Sequence, residues 1–248
     1  EGDATNTGGV TGVDRILGGS GANRIFGGDV WDFAGVAEGI NVNLRTRSLR
    51  IGNTPMDLPD EVNNIFGSPF DDQITGDQNG NFLSGGAGND TIQGGGGNDT
   101  LIGDDGEDRL TAGSGFSTLD GGDGDDILTS TDGVDQQFGG PGNDRHNVGR
   151  STGNFVNGGP GDDDINGNNF FSEDQYVGGE GNDTITNGHG NNLLDGGPGD
   201  DDIRGGPGFE SIFGGDGNDR LTGSSDNEFI NGGAGDAVII GNGGRRQF

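Results

Sequence analysis

The sequence predicts an all-β fold, a right-handed β-solenoid built as a parallel β-roll with two nine-residue repeats per turn. Three observations predict it. Glycine recurs with a period of nine, an acidic residue recurs every eighteen, and the eighth place of nearly every repeat is aliphatic.

The period can be read directly from Gly85, where GGAGNDTIQ, GGGGNDTLI, GDDGEDRLT, AGSGFSTLD and GGDGDDILT fall into frame. The frame continues with GGPGNDRHN at 139, GGPGDDDIN at 158, GGEGNDTIT at 178, GGPGDDDIR at 196 and GGDGNDRLT at 214, and fades at GGAGDAVII at 232. Backwards it holds through GDQNGNFLS at 76 and GSPFDDQIT at 67, and three looser copies begin at 9, 18 and 27. Between 67 and 240 only a ten-residue block at 148 and an eleven-residue block at 167 break the count.

Each place in the repeat has a physical reason. The six glycine-rich residues make a loop whose backbone reaches positive φ and brings carbonyls close together, which glycine does without steric cost. Aspartate at the sixth place supplies a hard anionic oxygen of the kind Ca2+ takes. The last three residues, such as Thr91-Ile92-Gln93, make a short strand whose eighth-place side chain points inward. A three-residue strand is unstable alone and becomes a core only when stacked on its copies.

Composition explains why a ligand is expected. Of 248 residues 60 are Gly, only 26% are hydrophobic, and the net charge is −30. Such a chain buries too little apolar surface to offset its entropy unless something neutralises it. Lysine and cysteine are absent, so there is no disulfide and no thiolate metal site. The acidic balance argues against nucleic acid and anionic membranes as partners, and no apolar run is long enough to insert into a bilayer.

These residues resemble the RTX (repeats-in-toxin) family of haemolysin-type calcium-binding modules, whose nonapeptide is G-G-x-G-x-D-x-U-x. The resemblance covers 67–240 strongly and 9–35 more loosely. It implies a calcium-loaded β-roll in a secreted protein, exported unfolded where calcium is scarce and folded outside the cell.

With two repeats per turn, loops eighteen residues apart stack on one edge. One edge then carries Asp72, Asp90, Asp108, Asp126, Asp144, Asp163, Asp183, Asp201 and Asp219, spaced by 18 except where the longer blocks give 19 and 20. The other reads Asn81, Asp99, Ser117 and Asp135, is interrupted, and resumes at Asn192, Glu210 and Glu228, with Phe116 and Phe209 in two loops. Only Asp99 there is taken as a metal ligand. Two carboxylates at the strand spacing of about 4.8 Å repel by roughly 3.5 kcal/mol at an effective dielectric of 20. Nine in a row therefore require about eight or more Ca2+ ions between them, completed by backbone carbonyls near Gly86, Gly88, Gly95, Gly97, Gly122, Gly140, Gly159, Gly179, Gly197 and Gly215. Ala237 in place of aspartate ends the file.

The chain divides into repeat turns over 1–35, an inserted strand and hairpin over 36–66, the main roll over 67–240, and a tail over 241–248. In the insert Ile40, Val42 and Leu44 alternate as a strand, followed by a hairpin with Arg45, Arg47 and Arg50 and a loop through Pro55 and Pro59. Two readings stand side by side: a hairpin covering the flank of the roll, or a partner or glycan contact using Arg45, Arg47 and Trp31. His146 takes an inward eighth place and His189 a loop, neither in a catalytic context. Acid pairs such as Asp162-Asp163 and Asp200-Asp201 recur at the repeat period, as structure does and catalysis does not. The Asn-Asp-Thr sequons at 89, 98 and 182 fall inside the loops and are explained by the repeat.

The expected function is a secreted or cell-surface, non-enzymatic module that folds on calcium. The absence of an initial methionine at Glu1 fits a mature product or an excised piece. Two alternatives follow from solenoid ends without obvious caps: a filament or adhesin subunit stacked end to end, or the C-terminal repeat module of a type I-secreted enzyme. A polysaccharide-binding solenoid would show a regular outward threonine or aromatic file, and no such file is evident from the repeats.

Overall fold

The computed structural model describes residues 13–17, 30–58, 62–167, 173–242 and 246–247. Among them there is no helix. Most of the loosely repeating stretch over 1–35, Pro59 in the insert, and residues 243–245 and 248 of the tail lie outside the described residues.

Among the described residues the strands stack into two sheets of thirteen, and from Asn64–Phe66 to Val238–Ile240 the chain alternates between them, one strand in each per turn. Sheet one runs from Val13–Leu17 through Val30–Gly35 and Asn64–Phe66 to Glu228–Asn231 and Arg246–Gln247. Sheet two runs from Val238–Ile240 back through Gln73–Thr75 to Ile40–Asn43. Pairing from coil to coil is parallel and in register, with Leu101 opposite both Leu83 and Leu119, and Leu110 opposite both Ile92 and Leu128. Eighteen residues close one turn because two nine-residue repeats each carry one strand and one corner.

The two sheets differ. Strands of sheet two are mostly three residues long, as the repeat predicts, for example Thr91–Gln93 and Arg109–Thr111. In sheet one most extend to six, as in Thr100–Asp105 and Leu193–Pro198. The extra residues are the first three of the next repeat, which remain paired with their neighbours before the chain turns.

Eighth-place side chains of both sheets meet in the interior. Leu83, Ile92, Leu101, Leu110, Leu119 and Leu128 are fully buried, as are Ile165, Ile185, Leu194, Ile203, Ile212 and Leu221. Burying each contributes about 1.5–3 kcal/mol, so every coil adds two such residues and depends on its neighbours to cover them.

The insert is built differently from the expected flank cover. Ile40–Asn43 is an ordinary sheet-two strand, parallel to Gln73–Thr75 with Val42 opposite Ile74. The chain then turns back twice in antiparallel pairing, through Ser48–Ile51 and Thr54–Asp57, and extends that sheet at its edge. Alternation places Leu49 in the core, with Ile51 and Met56 packed against it. Trp31 and Phe33 on sheet one are fully buried in the same cluster, so Trp31 is a core residue and offers nothing to a partner. The expected tail also contributes structure, since Arg246–Gln247 pairs with Glu228–Asn231.

Candidate metal centre

The loops that pass from sheet one to sheet two bring the eighteen-residue aspartates into one line. In each, the Oδ1 atom accepts the backbone N–H of the corresponding aspartate in the preceding coil. Asp72 N–H donates to Asp90 at 2.7 Å, Asp90 to Asp108 at 2.7 Å, Asp108 to Asp126 at 2.7 Å and Asp126 to Asp144 at 2.8 Å. The line continues from Asp144 to Asp163 at 2.7 Å, Asp163 to Asp183 at 2.8 Å, Asp183 to Asp201 at 2.8 Å and Asp201 to Asp219 at 3.1 Å. The two longer blocks do not interrupt it. In both blocks the sixth place still directly precedes its strand, Asn154 before Phe155–Pro160 and Asp174 before Gln175–Glu180.

The other carboxylate oxygen is stranded. Oδ2 of Asp90, Asp108, Asp126, Asp144, Asp163, Asp183, Asp201 and Asp219 is buried and meets no hydrogen-bond donor. The first glycine of each repeat explains the close quarters. A Cβ at Gly121 would fall on Oδ2 of Asp126 and the carbonyl of Gly139, and at Gly158 on Oδ2 of Asp163 and the carbonyl of Gly178. Oxygens of two successive coils therefore converge at Gly121 and Gly158, and likewise at Gly103, Gly139, Gly178, Gly196 and Gly214. All ten glycines expected to present carbonyls hold positive φ, from 95° at Gly97 to 127° at Gly179.

The cost of this arrangement is visible in the carboxyl groups. Burial pushes Asp90 up to about 8, Asp126, Asp144 and Asp183 to about 7, and Asp108, Asp163 and Asp201 to about 6. The hydrogen bond from the preceding coil opposes that rise, and neighbouring aspartates add to it. A row of desolvated like charges is untenable at neutral pH without a cation.

Seven matches to the RTX calcium-binding nonapeptide repeat model cover residues 8–29, 75–110, 102–137, 111–145, 148–170, 172–203 and 204–239. The chain belongs to this RTX family. No curated protein matches it.

The RTX repeats are calcium-binding repeats, and the residues present fit that ion. The stranded oxygens are hard, anionic and buried, and the carbonyls around them are the other donors Ca2+ takes. Among the described residues no three acidic or histidine side chains converge. A cation here would draw on one carboxylate per coil and on backbone carbonyls, as a repeat with one aspartate requires. Bound cations would supply positive charge between coils that otherwise repel.

Asp72 stands apart from the rest of its file. Its Oδ1 accepts from Ile40 N–H at 2.6 Å and Ser68 Oγ at 2.7 Å, and its Oδ2 from Ser68 N–H at 2.6 Å. Protein donors serve both oxygens, and the row of stranded oxygens begins one coil later, at Asp90.

The opposite edge is more continuous than the sequence indicated. Ser117 N–H donates to Asp135 at 2.8 Å, Asp135 N–H to Asn154 at 2.9 Å, Asn154 N–H to Asp174 at 2.7 Å and Asp174 N–H to Asn192 at 2.7 Å. Asn154 and Asp174 fill the stretch read as interrupted. They lie at the sixth places of the two longer blocks, and counting back from the following strand would have found them. Their chemistry differs from that of the first edge, because Tyr176 donates its hydroxyl to Asp174 Oδ2 at 3.0 Å. Stranded oxygens persist on Asp99, Asp135 and Glu210.

A polar layer crosses the interior midway. His146 is fully buried, its Nδ1 is 3.0 Å from Gln137 Oε1, and Gln137 Nε2 donates to Ser130 Oγ at 2.6 Å. An amide oxygen only accepts, so Nδ1 carries the proton. Burial lowers the imidazole to about 3, leaving it neutral. The aliphatic core ends at Leu128 on one side of this layer and begins again at Val148 on the other.

Proposed function

We propose that this chain is an extracellular, non-catalytic structural module whose folding is driven by calcium. One observation carries the reading: eight successive coils each bury a carboxylate oxygen that no protein donor serves. Asp90, Asp108, Asp126, Asp144, Asp163, Asp183, Asp201 and Asp219 are the proposed carboxylate ligands, giving about eight ions along this edge. Asp99 is a further ligand on the opposite edge. The positive-φ glycines from Gly86 to Gly215 are proposed to present the carbonyls. An acidic chain with too little core of its own folds where calcium is millimolar and stays open where it is scarce.

Circular dichroism during a calcium titration tests this. The expected outcome is a change from coil to β signal as calcium is added. A fully formed β spectrum in excess chelator overturns the coupling. Stacking end to end into a filament draws less support, because the outermost strand of sheet two, Thr54–Asp57, carries Pro55 and lacks a donor there.

A further inference from the structure

The outer face of sheet one carries an aromatic pattern that neither the core nor the acidic edges use. Phe66 lies against Phe82 with ring centroids 5.2 Å apart, Phe138 against Phe155 at 5.7 Å, and Phe213 against Phe229 at 5.5 Å. Each pair joins the ninth place of one coil to the seventh place of the next. Successive pairs are four strands apart in the sheet, about 19 Å at the ordinary strand spacing.

Other outward residues keep the same interval. Ile102 and Val177 are four strands apart, and so are the carboxylates of Asp120 and Asp195. Read along the ninth places, the face repeats phenylalanine, small polar, aliphatic, aspartate. Cross-strand aromatic pairs stabilise a sheet wherever they occur, but packing alone sets no interval between them. Phe66 and Phe229 remain 39% and 37% exposed.

We propose that this face binds a linear, uncharged polysaccharide laid along the axis of the roll. Phenyl rings stack on the C–H faces of sugar rings, and Asp120 and Asp195 accept hydrogen bonds from hydroxyls between the aromatic stations. A ligand with its own repeat meets a surface with a repeat, so contacts at successive stations reinforce one another. Charge selects among polymers. The strands of sheet one from Asn64–Phe66 to Glu228–Asn231 contain no Lys or Arg, whereas Arg109, Arg145, Arg204 and Arg220 lie on sheet two. On a chain of net charge −30 this face repels polyanions.

A second copy fits the face less well. The twofold arrangement that sets aromatic pair on aromatic pair, with its axis at Phe138 and Phe155, brings Asp120 opposite Val177 and Asp195 opposite Ile102. Both carboxylates would be buried without a partner, which is costly.

The test is isothermal titration of the calcium-saturated protein with a soluble neutral β-glucan, and with alginate as the anionic control. Binding to the glucan and not to alginate is expected. The double variant Phe138→Ala/Phe155→Ala should weaken glucan binding at least tenfold, while Phe138→Tyr keeps it. Glucan oligomers too short to bridge two aromatic stations should bind at least tenfold more weakly than longer ones. Circular dichroism of the variants with calcium separates loss of the site from loss of the fold. The proposal is overturned by absence of glucan binding, by equal binding to alginate, or by affinity indifferent to the phenylalanines. A dimer in sedimentation that dissociates in the double variant, without glucan binding, assigns the face to self-association and also overturns it.

Discussion

Asp126 accepts the backbone N–H of Asp108 through Oδ1 at 2.7 Å and leaves its Oδ2 buried without a donor. One side chain thus has two tasks, a hydrogen bond that holds the preceding coil and a buried charge that a bound cation or a proton must compensate. The tasks separate by substitution. Asp126→Asn keeps the acceptor and removes the charge, so it should need more calcium to fold than the parent and melt lower in saturating calcium. Asp126→Ala loses both and strands the Asp108 N–H, so it should be less stable in calcium than Asp126→Asn by a further cost of about 1–3 kcal/mol. Calcium titrations of folding and thermal melts in saturating calcium decide the matter, and identical behaviour of the Asn and Ala variants would contradict it.

Acidity should act with opposite signs in the two states. In chelator the raised carboxyls bind protons more tightly folded than unfolded, so their contribution to stability is complete below the ordinary value of 3.8. It is lost as pH rises through about 6 to 8, the range to which these groups are pushed. With calcium the ligands must be deprotonated, so affinity falls as pH is lowered through the same window. The β signal in chelator should therefore grow as pH falls from 8 to 4, whereas the calcium concentration needed for half folding should rise.

In the repeats that carry the aspartate file, the first glycine is a steric requirement. A Cβ at Gly121 collides with Asp126 Oδ2 and the Gly139 carbonyl, whereas at Gly96 its neighbours are the end of the flexible Gln78 side chain, at 3.1 Å and beyond. Gly121→Ala should lower calcium affinity sharply and destabilise the roll by several times more than Gly96→Ala. Calcium titration of both variants followed by thermal melting measures the contrast.

Asp104 occupies a second place usually held by glycine, with φ of 76°. Its side chain accepts from Ser84 Oγ at 2.6 Å, which offsets part of the backbone strain. In a Ser84→Ala background that compensation is gone, and Asp104→Gly should then raise stability by about 1 kcal/mol. A melting temperature unchanged or lowered by the second substitution would show that Asp104 is unstrained.

The line of aspartates was legible because one repeat carries one sixth-place acid and two repeats make a turn. The core was legible for the same reason, through Leu101 and its eighth-place counterparts. Three features were not. Asn154 and Asp174 escaped because insertions displace them from the count, although each still directly precedes its strand. The phenylalanine pairs escaped because Phe66, Phe138 and Phe213 are 72 and 75 residues apart, so the interval is uniform in strands and uneven in sequence. The antiparallel extension through Ser48–Ile51 and Thr54–Asp57 escaped because alternation alone does not say which edge a hairpin joins.

The layer formed by Gln137 and His146 divides the molecule mechanically. Nearest-neighbour contact is all that transmits order along a solenoid, and at this layer oily contact is replaced by a few directional bonds. The two halves should therefore open as separate cooperative blocks. Amide exchange in partial chelation should show two plateaus of protection that meet between Leu128 and Val148.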